Sequence, residues 1–402
     1  MTVTIYPSRT RGTVAAPPSK SMAHRLLIAA GLAEGESVVT GIAPSEDVLA
    51  TVDCLGALGA TLTYENDTVK VTGIGGKVKA KEPHLPCREC GSTLRFFVPI
   101  AMLSEEKTTF TGSEKLLSRP MAVYEELAKE KGLSYHGTPH GITVKGKLPS
   151  GEYRLPGNVS SQFISGLLFA LPTLSGESRI VITPPVESRS YIDLTLSALA
   201  TFGITARWEN EHTLYIKGGE TYKSRRANVE GDYSNAAFFS ALATLGDPVT
   251  VTGLDPDSLQ GDRIYLDCFE KLKAGKPTLS LADCPDLGPV LFALASALNG
   301  ATFTDTRRLK IKESDRAEAM KTELAKLGVN VTVEENTVTV EKADLHAPKV
   351  PLSGHNDHRI VMALSLLLTR TGGKIEGAEA IRKSMPDFFA RLEALGVTLE
   401  TE

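Results

Sequence analysis

The sequence of 402 residues lacks most features that mark secreted, membrane-embedded or nucleic-acid-binding proteins. Five irregularly spaced cysteines do not form a disulfide framework. The apolar runs are much shorter than the ~20 residues of a membrane-spanning helix. Lysine and arginine (44) do not outnumber aspartate and glutamate (48), so the bulk basic charge of nucleic-acid-binding proteins is missing. We therefore expect a cytoplasmic protein with no membrane and no nucleic-acid partner.

The composition is that of a globular protein, with 42% hydrophobic and 23% charged residues. Its length predicts two or three domains. The pair Cys87 and Cys90 has the spacing of a zinc or redox motif, but a zinc site requires two further ligands at comparable spacing. We favour reduced, buried thiols.

One pattern recurs along the chain, an amphipathic helix that ends in glycine and leads into a two-stranded hairpin. The glycines are Gly59, Gly132, Gly203, Gly328 and Gly396, separated by 73, 71, 125 and 68 residues. The long interval predicts a sixth copy at residues 268–275, with a hairpin that has degenerated into residues 278–282. The polar stretch 218–228 before this copy favours a domain junction there.

A second recurring element is a helix that is apolar on nearly every side and starts with a small polar cluster. Its six copies span residues 19–33, 91–104, 160–174, 232–246, 286–300 and 356–370. Such helices must be buried. Six units, each with two helices and about four strands, predict one closed ring or two domains of three units.

Cations concentrate at these helix starts. Lys20, Arg25, Arg95 and Arg359 lie in first turns, where the helix dipole is already positive and disfavours them. Helix capping explains the neighbouring Ser, Asp and Asn residues about as well as function does, but it does not explain the cations. Similar charged clusters open the second helices, with a solvated salt network as the alternative. The pattern predicts a phosphate- or carboxylate-binding site.

A P-loop is the other phosphate motif to consider. Residues 141–147 match most of one, but the segment is β-branched and lies in a repeat hairpin, and Leu148 replaces the required Ser or Thr. We interpret it as a strand.

The motifs at these helix starts resemble those of the 5-enolpyruvylshikimate-3-phosphate synthase family over almost the whole length. They are Pro18-Ser-Lys-Ser21 with Arg25, Gly91-Ser-Thr with Arg95, Arg119-Pro120, Ser160-Ser-Gln162, Ser188 with Tyr191, Pro285-Asp286, Lys312-Glu-Ser-Asp-Arg316, Asn356-Asp-His-Arg359 and Lys383-Ser-Met-Pro-Asp387. The resemblance implies an α/β enolpyruvyl transferase fold, an inside-out α/β barrel in which each of two domains holds three βαβαββ units around buried parallel helices. The domains would be residues 15–227, and residues 1–14 with 228–402.

The resemblance also implies the reaction, transfer of the enolpyruvyl group of phosphoenolpyruvate to the 5-hydroxyl of shikimate 3-phosphate with release of phosphate. The implied shikimate 3-phosphate ligands are Ser21, Arg25, Ser160, Ser161, Gln162, Ser188, Tyr191, Asp286 and Lys312. The implied phosphoenolpyruvate ligands are Lys20, Gly91, Arg119, Arg316, Arg359 and Lys383, with Gln162 between the two substrates. We expect no cofactor and no metal, a monomer, glyphosate as a possible inhibitor, and closure of the two halves on the ligands.

Acid and base roles follow from the same resemblance. Asp286 is our candidate base for the 5-hydroxyl. Glu313 is our candidate for the C3 proton and for phosphate departure, with Lys20, His358 and Lys383 as alternatives. Two positions depart from the family pattern, Glu89 and Arg308, where relatives often have Asn.

Two alternative functions require residues that this sequence lacks or places elsewhere. UDP-N-acetylglucosamine enolpyruvyl transferase has a Cys shortly before the Arg-Pro pair, and residues 111–118 contain none. A noncatalytic ring such as a DNA clamp requires basic residues along its helix faces. Here they cluster at helix starts beside Asp286, Glu313 and Asp357.

Overall fold

The computed structural model describes residues 1–78 and 80–402, whose strands form six sheets. Five sheets have four strands and one has two. Two units separate by their internal contacts: unit 1 comprises Met1–Pro17 and Gly231–Glu402, and unit 2 comprises Pro18–Glu230. The junctions expected from the sequence lie at 14/15 and 227/228, and those between the units lie at 17/18 and 230/231.

The chain begins with two strands of unit 1, β1 (Thr2–Ile5) and β2 (Gly12–Ala15). Unit 2 follows. Its elements are α1 (Lys20–Leu32), β3 (Glu36–Thr40), α2 (Glu46–Ala57), β4 (Thr61–Glu65), β5 (Thr68–Thr72), β6 (His84–Pro86), α3 (Gly91–Ala101), β7 (Thr108–Thr111), α4 (Glu114–Leu117), α5 (Ala122–Glu130), β8 (Ser134–Thr138), β9 (Gly141–Lys145), β10 (Glu152–Pro156), α6 (Ser161–Ala170), β11 (Ser178–Thr183), α7 (Arg189–Thr201), β12 (Ala206–Asn210), β13 (Thr213–Ile216) and β14 (Arg226–Asn228).

Unit 2 repeats one sheet pattern three times, in the orders β14-β3-β5-β4, β6-β7-β9-β8 and β10-β11-β13-β12. In each, two parallel strands are followed by an antiparallel hairpin. The first sheet takes its outer parallel strand from the end of the unit, where Ala227 lies opposite Val39. The segment that resembles a P-loop forms β9 and its exit, as expected.

Unit 1 resumes after unit 2. Its remaining elements are α8 (Tyr233–Thr244), β15 (Val249–Thr252), α9 (Tyr265–Ala274), β16 (Thr278–Ser280), α10 (Gly288–Ala297), β17 (Ala301–Thr304), α11 (Arg316–Ala325), β18 (Val331–Val333), β19 (Thr337–Val340), β20 (Leu352–Ser353), α12 (His358–Thr371), β21 (Gly373–Glu376), α13 (Phe388–Ala394) and β22 (Leu399–Thr401). Its sheets have the orders β15-β2, β16-β17-β19-β18 and β20-β21-β1-β22.

The sequence-based description of the fourth unit is wrong in two respects. Residues 278–282 are not a degenerate hairpin, because β16 pairs in parallel with β17, with Leu279 opposite Phe303, and so opens the fifth sheet. The fourth sheet has only β15 and β2 among the described strands. Its helix also ends differently, since Gly275 has an extended φ of 173°.

The other five repeat glycines follow the prediction. Their φ values lie between 68° and 103°, the left-handed region that glycine adopts without steric cost. Each reverses the chain from a partly exposed helix into the following strand.

The six apolar helices are α1, α3, α6, α8, α10 and α12, and nearly every residue in them is buried. They fill two hydrophobic cores, one in each unit of the described chain. No helix in the described ranges is both long and apolar enough to cross a membrane.

Side-chain caps start five of these helices. Ser19, Ser160, Asp232 and Asp357 accept a backbone N–H through oxygen, and Cys90 accepts one through sulfur. Helix α10 has no side-chain cap and instead continues a 3-10 turn over Pro285–Leu287. The carboxylate of Asp286, in that turn, is therefore not used for capping.

Asp247 joins three parts of unit 1. Its carboxylate accepts hydrogen bonds from the backbone and hydroxyl of Thr10, from Arg9 Nη1 at 3.2 Å and from Arg370 Nη1 at 3.1 Å. Only 1% of the side chain is exposed. Burial favours a higher pKa, but the Arg370 and Thr10 hydrogen bonds outweigh it and lower the pKa of Asp247 to about 2.

Replacing Asp247 tests the contribution of these hydrogen bonds to stability. Because the pKa of Asp247 is lower in the folded than in the unfolded state, its contribution is complete above pH ~4 and is lost as pH falls through about 2. We expect Asp247→Asn to lower the unfolding free energy by ~2 kcal/mol at pH 7 and by much less near pH 2. Urea unfolding followed by circular dichroism measures both values. Asp267→Asn, which removes an exposed pair with Lys271, is the control, and equal effects of the two variants would contradict the assignment.

Candidate active site

Lys20, the first residue of α1, has a carboxylate partner in unit 2. Its Nζ donates to Asp47 Oδ2 at 2.6 Å, and Asp47 lies in the first turn of α2. Both side chains are largely buried. The Asp47 charge offsets the unfavourable position of Lys20 at a helix N-terminus.

Arg25 is held by neutral groups. Its Nε donates to Thr195 Oγ1 at 2.8 Å, its Nη2 to the Tyr191 carbonyl at 2.9 Å and its Nη1 to the Ser21 carbonyl at 2.7 Å. Burial lowers the pKa of Arg25 to about 10, so the guanidinium stays charged at neutral pH. Ser188, in a left-handed conformation before α7, accepts from the Tyr191 N–H. The structure thus brings together four of the residues expected to bind the sugar phosphate.

A second group surrounds the start of α3. Arg95 Nη1 donates to Gln162 Oε1 at 2.7 Å, and Gln162 Nε2 donates to Ser92 Oγ at 2.9 Å. A Cβ atom added to Gly91 would lie 2.6 Å from Arg119 Nη1. Arg119 Nε is buried and has no hydrogen-bond acceptor among the described residues. This buried donor suits an anion.

The two serines at the start of α6 differ in their surroundings. Ser160 caps the helix by accepting from the Gln162 N–H at 3.3 Å. Ser161 is the first residue of the helix and is buried. For Ser160 the capping interpretation therefore holds, and the cap also orients the backbone of Gln162.

In unit 1, Arg316 is the centre of a buried charge cluster. Its Nε donates to Asp357 Oδ2 at 2.8 Å, its Nη1 to Asp286 Oδ1 at 2.8 Å and its Nη2 to Glu313 Oε2 at 2.7 Å. Only 1% of the Arg316 side chain is exposed. Arg316 is therefore ion-paired within the protein, but the cluster is buried and is not the solvated surface network given as the alternative.

Asp286 receives three cations. Besides Arg316, Lys312 Nζ lies 3.2 Å from Oδ1 and Arg359 Nη2 lies 3.3 Å from Oδ2. Burial favours a higher pKa, but Arg359, Lys312 and Arg316 outweigh it and hold the pKa of Asp286 well below its ordinary range. The Asp286 side chain is 21% exposed.

Lys383 and His358 lie next to this cluster in the fold. Lys383 Nζ donates to the carbonyl of Asn356 at 2.6 Å, and Asn356 has a left-handed φ of 51°. His358 is the buried first residue of α12, with Nδ1 3.9 Å from Asp357 Oδ1. Arg308 is also buried and donates to the carbonyl of Ala282.

Sequence reasoning missed two buried carboxylates, Asp47 and Asp262. Asp262 accepts a hydrogen bond from Ser234, and burial, together with the Asp286 charge, raises its pKa to about 6. Asp47 lies in the first turn of α2 and Asp262 in the 3-10 turn before α9, and these are the second helices of the first unit in each half. An acidic residue at that repeat position was the available signal.

Known proteins of one family are similar to this chain over nearly its whole length. A sequence profile of EPSP synthase (3-phosphoshikimate 1-carboxyvinyltransferase) matches residues 5–392. The 3-phosphoshikimate 1-carboxyvinyltransferase of Clostridium kluyveri is 41% identical over 98% of this chain and 97% of its own, and that of Clostridium botulinum strain Eklund 17B is 39% identical over the same shares. The chain belongs to the EPSP synthase family. It is therefore an enzyme of the enolpyruvyl transferase class, and the UDP-N-acetylglucosamine alternative is not favoured.

Solved structures of the family share the fold. An EPSP synthase from Acinetobacter baumannii, 23% identical, superposes with a TM-score of 0.80 over 99% of both chains. A second structure from that organism, 22% identical, has a TM-score of 0.81 over the whole of both chains. The predicted two-domain α/β enolpyruvyl transferase fold is confirmed.

Removal of Arg316 should destabilise unit 1 strongly, because it leaves three carboxylates without their shared cation. We expect Arg316→Met to lower the unfolding free energy by ~3–5 kcal/mol, as for other broken buried ion pairs. Urea unfolding at pH 7 measures the loss. Lys321→Met, on the same helix but in an exposed pair with Glu318, should cost less than ~1 kcal/mol. Similar losses in both variants would contradict the central role of Arg316.

Proposed function

We propose that this protein transfers the enolpyruvyl group of phosphoenolpyruvate to the 5-hydroxyl of shikimate 3-phosphate, in the cytoplasm and as a monomer, through the residues described above. The family and its reaction class are established, and the roles of individual residues are the proposal. The observation that carries it is the grouping around Asp286 of Lys312, Arg316 and Arg359, three cations proposed as substrate ligands.

The proposed ligands of shikimate 3-phosphate are residues rich in hydroxyl groups. Ser21, Arg25, Ser188 and Tyr191 lie together in unit 2, and the hydrogen bonds of Arg25 within the described ranges go to neutral groups. Its charge is therefore available to a phosphate. Ser160, Ser161, Gln162 and, from unit 1, Asp286 and Lys312 complete the proposed set.

The proposed ligands of phosphoenolpyruvate are residues rich in guanidinium groups. Arg119 has a buried Nε without an acceptor among the described residues, which supports a role as an anion ligand. Planar guanidinium groups bind carboxylate and phosphate in bidentate fashion. Lys20 and Gly91 in unit 2, and Arg316, Arg359 and Lys383 in unit 1, are the other proposed ligands.

The reaction needs an acid and a base. In the addition, the 5-hydroxyl loses its proton and its oxygen bonds to C2 while C3 gains a proton. In the elimination, C3 loses a proton and the C2–O bond to phosphate breaks. Asp286 is the proposed base for the hydroxyl, and Glu313 is proposed for the C3 proton, with Lys20, His358 and Lys383 as alternatives.

The cations around Asp286 explain how its basicity changes. With Lys312, Arg316 and Arg359 as partners, Asp286 has a low pKa and is a weak base. Substrate phosphate and carboxylate compete for the same cations. As they take these partners over, the pKa of Asp286 rises and the carboxylate becomes a stronger base.

Asp286→Asn tests the base. The amide keeps the size of the side chain and cannot take the proton, so we expect kcat to fall by ~10²- to 10⁴-fold. Phosphate release with both substrates measures it, and the same assay with UDP-N-acetylglucosamine tests the rival. Asp283→Asn, exposed on the same segment, should retain kcat. An unchanged kcat in Asp286→Asn would exclude the role.

Gly91→Ala tests the phosphoenolpyruvate site. The added methyl displaces the Arg119 guanidinium, so we expect the KM for phosphoenolpyruvate to rise about tenfold, the loss of one charge-assisted hydrogen bond. The Ki of glyphosate, which is longer, should rise by a larger factor. Gly56→Ala, where a methyl meets no atom within 4 Å, is the control. Equal factors for substrate and inhibitor would contradict the placement.

A further inference from the structure

Three side chains of types that commonly bind metals converge in unit 2 beside the proposed substrate ligands. They are His24 on α1, Asp47 on α2 and Cys90 before α3, and their ligand atoms all lie within 4.8 Å of one another. His24 Nε2 lies 3.9 Å from Cys90 Sγ. All three residues are buried, with exposed fractions of 1%, 7% and 2%. None of the proposed substrate roles uses this imidazole or this thiol.

Neighbouring hydroxyls orient the cluster. His24 Nδ1 is hydrogen-bonded to Thr51 Oγ1 at 2.7 Å, which turns Nε2 toward Cys90. Thr51 is in turn bonded to Thr93 Oγ1 at 2.8 Å, and the Thr93 N–H donates to Cys90 Sγ at 3.4 Å. Metal-binding histidines are oriented in this way, by a hydrogen bond at the second ring nitrogen.

We propose that His24, Asp47 and Cys90 form an inhibitory site for one thiophilic divalent cation, of which Zn²⁺ fits best. Nitrogen, sulfur and carboxylate oxygen are the ligands that Zn²⁺ takes, and a thiolate disfavours Mg²⁺ and Ca²⁺. One thiolate and one carboxylate balance the charge of the ion, and the Lys20 ammonium then loses its counter-charge. Three protein ligands leave the fourth position of a tetrahedron to water.

The proton balance is simple. Burial raises the pKa of the Cys90 thiol to about 12, so the thiol keeps its proton until a metal takes its place. Binding forms the Zn–S bond, breaks the S–H bond and releases one proton to solvent. The neighbouring His24 is already neutral, because burial lowers its pKa well below the ordinary value.

A metal bound to Asp47 would inhibit the enzyme by disturbing Lys20, an inference that rests on the proposed function. The carboxylate oxygen that would bind the metal belongs to the group that holds Lys20 Nζ at 2.6 Å. A divalent cation there displaces and repels the Lys20 ammonium. Since Lys20 is a proposed phosphoenolpyruvate ligand, Zn²⁺ should inhibit in competition with phosphoenolpyruvate, and EDTA should reverse the inhibition.

Cobalt(II) tests metal binding in the full chain without substrates. We expect one Co²⁺ per chain, with thiolate-to-cobalt charge-transfer absorption in the near ultraviolet and the intense visible bands of a tetrahedral site. Cys90→Ser, which retains a side-chain cap for α3, should abolish the charge-transfer band. Cys87→Ser, which removes another buried thiol of the same segment, should leave it unchanged. Thr51→Val should weaken Co²⁺ binding ~10- to 100-fold.

Several outcomes would overturn the site. They are the absence of a charge-transfer band, a band that survives in Cys90→Ser, and a band that is lost in Cys87→Ser. In the activity assay, the Zn²⁺ concentration for half-inhibition should rise at least ~10-fold in Cys90→Ser and remain unchanged in Cys87→Ser. Equal inhibition of Cys90→Ser and the parent would refute the inhibitory role. Because the cobalt spectrum needs no turnover, a failure of the proposed reaction leaves the test of the metal site intact.

Discussion

The burial of six helices that are apolar on nearly every side is the constraint on which the rest of this structure depends. Such helices offer no polar face, so polar chemistry is confined to their ends. At each N-terminus, backbone N–H groups need acceptors, and Ser19, Cys90, Ser160, Asp232 and Asp357 provide them. Lys20, Gly91, Ser161 and Arg359 lie within two residues of these caps. Other substrate-binding candidates, such as Arg119, Ser188 and Arg316, lie at or just before the second helices of their units.

The helix-end cations are balanced in two ways, by neutral groups or by carboxylates such as the Asp47 partner of Lys20. In unit 2, Arg25 and Arg95 are held by carbonyl, hydroxyl and amide groups, and their charges are not neutralised by those bonds. In unit 1, Arg316 and Arg359 are bonded to carboxylates. An anion that binds Arg25 meets a cation held by neutral groups, whereas one that binds Lys20, Arg316 or Arg359 must compete with an internal carboxylate. Under the proposed roles, that competition would make the basicity of Asp286 depend on substrate.

Much of this architecture could be predicted from the sequence because it repeats. The glycines that end five helices and the six apolar segments carry periodic signals that survive in a single sequence. The fourth unit misled the prediction, because Thr278-Leu-Ser280 alternates like a hairpin strand and only pairing with Phe303 and its neighbours assigns it to the next sheet. Pairing between distant segments leaves no local signal.

The charge clusters were only partly predictable. Lys20, Arg316 and Arg359 could be named from their positions at helix starts, and Asp286 from a family resemblance. The partnership of Lys20 with Asp47 could not, because it joins two helices whose relative placement is set by packing. The convergence of His24 and Cys90, which are 66 positions apart, has the same origin.

The pairing of β1 with both β21 and β22 has a consequence for how the chain folds during synthesis. Unit 2 is one continuous segment and has all its strands once residue 230 has emerged. The third sheet of unit 1 contains β1 near the start of the sequence and β22 near its end. β1 therefore cannot pair with β21 and β22 until nearly all of the 402 residues have been synthesised. Since domains form as units during translation, unit 2 should be folded before unit 1 can close its last sheet. The nascent chain therefore carries an unpaired strand edge at β1 for most of its time on the ribosome, which is a period of exposure to aggregation and chaperones.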